Sequence, residues 1–208
     1  MLGCLDADQH LLAIGREAAQ ILEEAAVPHL VGGGVALWAY GRRRNTKDID
    51  LFLARGRQID ALDALARRRF HTRETDASWL YKAQKDDVTI DLIMYTTGDI
   101  AVDDRTFERS RRVEIDGLPF TVMGPEDVLL RKICSTSEIR CHDWYDALSI
   151  VARRDPRFDW AYLEDRTLEN NLLRVLGFAF IARGDLGADA VPTSFVEALL
   201  ARYRELEG

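Results

Sequence analysis

No run of the chain is apolar for long enough to cross a membrane, so no spanning segment is expected. Met1 to Leu5 is short and is followed by Asp6 and Asp8, so no secretory leader is expected. Low-complexity tracts and internal repeats are also missing. Cysteine is scarce. Cys4, Cys134 and Cys141 are odd in number and lack CxxC spacing. A disulfide framework is therefore not expected, and reduced thiols in a cytoplasmic protein are the plain reading. Cys141-His142 and Cys134 lack a fourth ligand for zinc. An excess of basic charge is absent too. The net charge is -7, whereas proteins that grip nucleic acid along their length are usually basic. No extended nucleic-acid surface is expected, although arginines cluster at Arg42 to Arg44, Arg67 to Arg69, Arg111-Arg112 and Arg153-Arg154. Two common phosphate loops are missing. No Gly-Lys-Ser/Thr follows the glycines near residue 33, and a G-x-G-x-x-G starting at Gly32 fails at Leu37.

What is present centres on Val31 to Leu53, VGGGVALWAYGRRRNTKDIDLFL. His29 to Val31 is short and apolar and predicts a buried strand. Gly32, Gly33 and Gly34 follow at once, then an apolar stretch, Val35 to Tyr40, long enough for a short helix. Glycine lets a backbone reach positive φ and approach a ligand with no Cβ in the way. Glycines that lead into a helix present free N–H groups, which suit phosphate. A tight strand-to-helix turn with no ligand fits the same residues.

Lys47-Asp48-Ile49-Asp50-Leu51-Phe52-Leu53 predicts a second strand. Residues i and i+2 share one face of a strand, so Asp48 and Asp50 point together while Ile49, Leu51 and Leu53 point inward. Two adjacent carboxylates repel, and a divalent cation relieves that; Mg²⁺ favours a few carboxylates plus substrate phosphates. A solvated polar face is the plainer alternative. A third carboxylate stands out in Val88 to Met94, where Asp91 is the only charge of an apolar run. A lone buried carboxylate is costly without a partner.

The glycines and the D-x-D resemble the signature of the DNA polymerase β-like nucleotidyltransferase superfamily: two small residues, a spacer, then Asp-hydrophobic-Asp/Glu-hydrophobic. Gly33-Gly34 and Asp48-Ile49-Asp50-Leu51 carry the match. Where the family often has serine, this chain has Gly34, so phosphate contacts would come from backbone. Gly41, Arg44, Thr46 and Lys47 resemble the G-x-x-R-x-T-x-D-I-D-L form of small bacterial members. The resemblance implies an α+β fold: a polymerase β-like mixed sheet with flanking helices, followed by a C-terminal helical region. It implies Asp48, Asp50 and Asp91 as metal ligands and catalytic carboxylates, with Mg²⁺ or Mn²⁺ as cofactor and a nucleoside triphosphate as substrate. Gly33, Gly34, Arg44, Thr46 and Lys47 would contact nucleotide or acceptor. The acceptor stays open among an antibiotic hydroxyl, a tRNA 3′ end and a protein side chain.

A second resemblance lies further on. Lys132, then Arg140-Cys141-His142-Asp143-Trp144-Tyr145-Asp146, is similar to the Lys…R-x-K-D-x-x-D pattern of the abortive-infection type toxin nucleotidyltransferases, with His142 where lysine is usual. It implies that Lys132 contacts nucleotide phosphate and that Asp143 assists catalysis. Asp146 is the alternative, as is a purely structural pairing of these residues. The same kinship implies an antitoxin partner, and it keeps a rival reading alive, a non-catalytic interaction module on the same fold.

The remaining elements follow from periodicity and punctuation. Ala7 to Ala26 predicts an amphipathic helix closed by Pro28, and Gln58 to Arg69 another with Ile59, Leu62 and Leu65 inward. Trp79 to Gln84 and Val88 to Met94 predict a hairpin, as do Arg112 to Ile115 and Leu118 to Met123 around Asp116-Gly117. From Gly124-Pro125 the pattern turns helical: Val128 to Ser135, Asp143 to Arg153, Asp159 to Arg183, and Thr193 to Leu206. We therefore expect a nucleotidyltransferase core over 1–123 and a helical region over 124–208, the latter forming the other wall of the cleft.

Overall fold

The computed structural model describes residues 2–207, with side chains from Ala7 onward. Met1 and the Cys4 side chain lie outside the described residues. The chain divides into two compact units, Met1–Gly124 and Pro125–Gly208.

The first unit runs α1 (Leu2–Glu24), β1 (His29–Val31), α2 (Gly33–Ala39), β2 (Asp48–Leu53), α3 (Gln58–Arg67), β3 (His71–Asp76), β4 (Leu80–Lys85), β5 (Val88–Ile93), β6 (Tyr95–Thr96), β7 (Ile100–Ala101), α4 (Asp104–Glu108), β8 (Arg111–Ile115) and β9 (Leu118–Val122). A seven-stranded sheet has the order β3-β4-β5-β2-β1-β9-β8. It is mixed: β2 runs parallel to β5 and antiparallel to β1, while β1 runs parallel to β9. The α+β class expected from the sequence is the class observed.

Alternation in β2 divides the sheet's faces. Ile49, Leu51 and Leu53 are fully buried, while Asp48 and Asp50 are half-buried on the other face. The apolar stripe of α1, including Leu12, Ala18 and Leu22, is fully buried. Gly15 lets α1 come close, since a Cβ there would lie 2.9 Å from Ile49 Cδ1. This helix therefore covers the Ile49 face and leaves the aspartate face uncovered by it. Both expected hairpins form. Asp116 and Gly117 have φ of 49° and 81°, the paired positive values that a two-residue hairpin turn matched to strand twist requires. In the other, Lys85 pairs with Val88 across Asp86-Asp87.

Three expectations are corrected, and one strand appears where none was expected. The helix after the glycines begins at Gly33, so Gly33 and Gly34 form its first turn instead of preceding it. Ile59 is 53% exposed, because Ala61 and Leu65 set the buried stripe of α3 and Ile59 falls on the opposite side of the helix. The strand β3, His71-Thr-Arg-Glu-Thr-Asp, has no apolar alternation to announce it; it forms by pairing its backbone with β4 at the sheet edge. The helix expected over Asp159 to Arg183 is two helices, separated by a short 3₁₀ turn at Glu169–Asn171.

The second unit contains α5 (Pro125–Ser135), α6 (Cys141–Ala152), α7 (Trp160–Arg166), α8 (Leu172–Leu186) and α9 (Thr193–Glu207). Asp159 caps α7 by accepting the Tyr162 N–H at 2.9 Å. The break after α7 has a physical cause. The Thr167 hydroxyl donates to the Leu163 carbonyl at 2.8 Å, and the Arg202 guanidinium donates to the carbonyls of Glu164 and Thr167. Terminal carbonyls are thus satisfied without another helical turn. Among the described residues, no helix is long and apolar enough to cross a membrane.

Candidate active site

The glycine turn and the D-x-D strand are locked together. The Gly32 N–H donates to the Asp50 carbonyl at 2.9 Å, fixing the turn to β2. Gly33 has a φ of 54°, and a Cβ placed on it would sit inside the Asp50 carboxylate, 2.5 Å from its Cγ. Any other residue there would meet both backbone strain and a clash. A Cβ on Gly34 would lie 2.8 Å from Thr46 Oγ1 and 3.4 Å from Arg44 Nη2. The glycines therefore bring bare backbone against the functional side chains of the following segment. A Cβ on Gly32 would likewise collide with the Phe52 ring, 2.5 Å from Cδ2.

The basic loop between the two elements is ordered by its own contacts. The Thr46 hydroxyl donates to Asp48 Oδ1 at 3.0 Å and so orients that carboxylate. The Trp38 indole N–H donates to the Arg44 carbonyl at 3.0 Å, and Arg44 itself donates to the Asn45 carbonyl. Arg43 lies over the Trp38 ring and pairs with Asp116 and Asp8. The Asp116 bond, helped by charge, holds the Asp116 carboxyl below the usual carboxylate range. Arg43 is thereby tied to the frame of the sheet, whereas Lys47 is exposed.

Strand register places Asp91 directly beside Asp50, and both are half-buried. Asp48, Asp50 and Asp91 therefore share one face of the sheet. Burial pushes the Asp91 carboxyl above the usual range, against the opposing pull of Lys82 and Arg73 and with a further push from Asp48. Lys82 is the residue that sequence reasoning missed. Its Nζ stands 2.6 Å from Asp91 Oδ1. A signal for it existed: counting back along the hairpin from Lys85 opposite Val88 puts Lys82 opposite Asp91.

Among the described residues, no group of three or more His, Cys, Asp or Glu side chains is gathered closely enough to hold a metal ion. The donor set nevertheless suits a hard divalent cation: carboxylate oxygens only, on adjacent strands, with glycine backbone against one of them. The third carboxylate is engaged by an ammonium group instead.

The residues of the second resemblance meet within the helical unit. Lys132 is buried, and its Nζ lies 2.5 Å from Asp143 Oδ1 and 3.0 Å from Asp146 Oδ2. Arg140 Nε donates to Asp143 Oδ2 at 2.8 Å, and His142 Nε2 lies 3.5 Å from Asp143 Oδ1. Both aspartate side chains are fully buried. Burial works to raise the Asp143 carboxyl, but Lys132 and Arg140 outweigh it and hold that carboxyl below the usual range. The two described cysteines, Cys134 and Cys141, are free thiols. Burial pushes the Cys134 thiol up to about 11, so it is protonated at neutral pH.

Residues 12–171 match the family described as "Nucleotidyl transferase of unknown function (DUF2204)", and the chain belongs to that family. The solution structure of the antibiotic-resistance factor ANT(2'')-Ia is 18% identical with a TM-score of 0.50, covering 96% of each chain, and shares the fold. An antigenic nucleotidyltransferase-like protein from Paracoccidioides brasiliensis is 19% identical with a TM-score of 0.49, covering 68% of this chain and 75% of its own. The lincosamide antibiotic adenylyltransferase LnuA, bound to lincomycin, is 11% identical with a TM-score of 0.46, covering 64% and 90%. No curated protein matches the chain.

Proposed function

We propose that the protein transfers a nucleoside monophosphate from a nucleoside triphosphate to a hydroxyl acceptor and releases pyrophosphate. The observation that carries this reading is the shared sheet face of Asp48, Asp50 and Asp91, with Gly33 backbone pressed on the Asp50 carboxylate. Three carboxylates so placed suit a Mg²⁺ or Mn²⁺ ion, which when bound would lower the barrier by stabilising charge on the phosphates and on the acceptor oxygen.

The chain's own residues supply the rest. The bare backbone of Gly33 and Gly34 sets the turn directly against the Asp50 carboxylate and the Thr46 and Arg44 side chains, so the residues that would handle phosphate and metal lie together. Thr46 orients Asp48, and Arg44 and Lys47 supply positive charge beside the turn. A bond forms between the acceptor oxygen and the α-phosphorus, and the bond from that phosphorus to the bridging oxygen breaks. Pyrophosphate takes the bonding electrons, and the acceptor proton passes to the Asp91 carboxylate. For Lys132 as a phosphate ligand and Asp143 as a catalytic group, the resemblance to toxin nucleotidyltransferases is the whole support.

The acceptor is tested directly, because fold does not choose it. ANT(2'')-Ia is an antibiotic-resistance factor, so an antibiotic hydroxyl joins a tRNA 3′ end and a protein side chain as the arms of the assay. The protein is incubated with Mg²⁺, each α-labelled NTP and either an antibiotic panel or cell extract. A labelled species is expected with the wild type and lost with Asp50→Asn. That variant removes the charge of one ligand but keeps its shape, and a loss of about a hundred-fold or more is expected. No label in any arm, together with no heat on titration with NTP and Mg²⁺, would return the fold to a non-catalytic binding module.

A further inference from the structure

Helix α8, LLRVLGFAFIARGDL, is apolar on nearly every side. Leu172, Val175, Leu176, Phe178, Ala179 and Ala182 are buried, and the helix packs on α5, α6 and α9. The opposite side is exposed and apolar as well. Leu173 is 61% exposed, Phe180 52% and Ile181 48%. With Gly177 and Gly184 they fall at i, i+4, i+7, i+8 and i+11, so they share one face of the helix over about 17 Å. A surface helix ordinarily turns charged residues to water there. A continuous apolar face rimmed by polar residues marks an interaction surface.

Two features of α8 say what covers that face. The first is shape. Gly177 and Gly184 have helical backbone, and a Cβ added to either would meet nothing within 4 Å beyond the helix's own turns. The fold of one chain therefore does not call for glycine at these positions, although glycine weakens a helix interior. Each leaves a hollow beside large apolar side chains. One antiparallel register sets Leu173 of one copy opposite Gly184 of a second, and Phe180 opposite Gly177. The face is thus complementary to itself. The second feature is charge. Arg174 and Asp185 are both exposed, on the same edge of the apolar face and at opposite ends of the helix. Each stands at the end that the helix dipole disfavours, a cation in the first turn and an anion in the last. The same antiparallel register brings Arg174 of one copy beside Asp185 of the other, and two-fold symmetry makes that contact twice. It also sets each charge near the favourable end of the facing helix. Arg174 Nη1 reaches the carbonyls of Cys134 and Thr136 at 3.4 Å, and a guanidinium has further donors for a carboxylate.

We propose that the exposed face of α8 is a self-association surface whose partner is a second copy of this chain, docked antiparallel, α8 on α8. Leu173 and Phe180 enter the hollows at Gly184 and Gly177 of the second copy, and Arg174–Asp185 pairs close one edge. A single helix pair is a small interface, so the association is reversible and depends on concentration. It does not depend on the chemistry of the aspartate face.

Sedimentation velocity on the full chain tests this from roughly 1 μM to roughly 1 mM, with circular dichroism to show that each variant folds. The wild type is expected to pass from monomer to dimer across that range. Phe180→Glu puts a charge into the apolar contact, and Gly177→Leu fills a hollow. Each is expected to raise the dissociation constant about ten-fold or more. Arg174→Glu and Asp185→Arg alone are each expected to weaken the dimer about five-fold. An equimolar mixture of those two variants is expected to restore it, since opposite charges then face each other in both symmetry-related pairs. A wild type that stays monomeric throughout would overturn the inference and leave the face to a different protein. A dimer indifferent to both Phe180→Glu and Gly177→Leu would place the interface elsewhere and overturn it as well. Charge variants that change nothing, or a mixture that fails to recover the dimer, would overturn the antiparallel pairing.

Discussion

Lys82 and Lys132 each pair closely with an aspartate, in opposite settings. Lys82–Asp91 joins two adjacent strands at 2.6 Å, with side-chain exposures of 22% and 13%. Lys132–Asp143, at 2.5 Å, is buried among helices and has a second acid, Asp146, at 3.0 Å. The carboxyl pKa values move in opposite directions. Asp91 is raised, because burial outweighs what one lysine and a more distant arginine return. Asp143 is lowered despite burial, because both of its oxygens are met by charged donors, Lys132 and Arg140. A short distance alone therefore says little about what a pair does. In the sheet pair one cation meets one Asp91 oxygen, while in the helical pair charged donors meet both Asp143 oxygens, as befits a piece of framework.

The comparison breaks most visibly if Lys132 is removed. Lys132→Ala leaves two buried carboxylates without their shared cation, and a loss of about 3–5 kcal/mol in unfolding free energy is expected. Chemical denaturation checks this. A small change in stability with a large loss of NTP affinity would instead give Lys132 the phosphate-binding role of the toxin enzymes.

Gly33→Ala comes next. The added methyl would meet the Asp50 carboxylate at a backbone position with φ of 54°. A cost of ~1–3 kcal/mol is expected from the strained backbone. Label transfer should fall by more than that stability loss explains, because Asp50 is displaced. Wild-type transfer in this variant would remove the glycine turn from the site.

A smaller effect is expected from acid. Asp143 has its folded pKa below the unfolded value, so its contribution is complete above the unfolded carboxylate pKa. That contribution is lost as pH falls through the folded pKa. Protonation removes one charge and leaves Lys132 with Asp146, so the loss is less than in Lys132→Ala. Asp143→Asn should flatten this acid limb in melting curves taken across pH, and an unchanged limb would assign it to other groups.

The smallest effect is expected at the sheet pair. Asp91 has a raised folded pKa, so its ionised form is not what stabilises the fold near neutral pH. Asp91→Asn should shift unfolding free energy by no more than about 1 kcal/mol. A loss on the scale of Lys132→Ala would erase the distinction between the two pairs.

Much of the first unit was legible because its signals are local. A period of two in Asp48 to Leu53 assigns both aspartates to one face whatever surrounds the strand. Asp116-Gly117 carries its turn in its own backbone preferences. Asp91 was found as the one charge in an apolar run, and Pro125 marked the start of a helix. The edge strand β3 was hidden because polar residues can pair by backbone alone. The break between α7 and α8 was hidden because Arg202, far along the chain, takes the carbonyls that would have continued the helix.

By itself, then, the order of residues determined the turn, the strand faces and the family of this protein, since each depends on neighbours a few positions apart. The partners of its charges were decided only in three dimensions. Gly33 against Asp50, and Lys132 between Asp143 and Asp146, join residues from different elements. Whether a carboxylate is free for a metal or committed to a lysine depends on strand register, helix packing and burial. Those arise when distant segments lose their water together, and no local pattern records them.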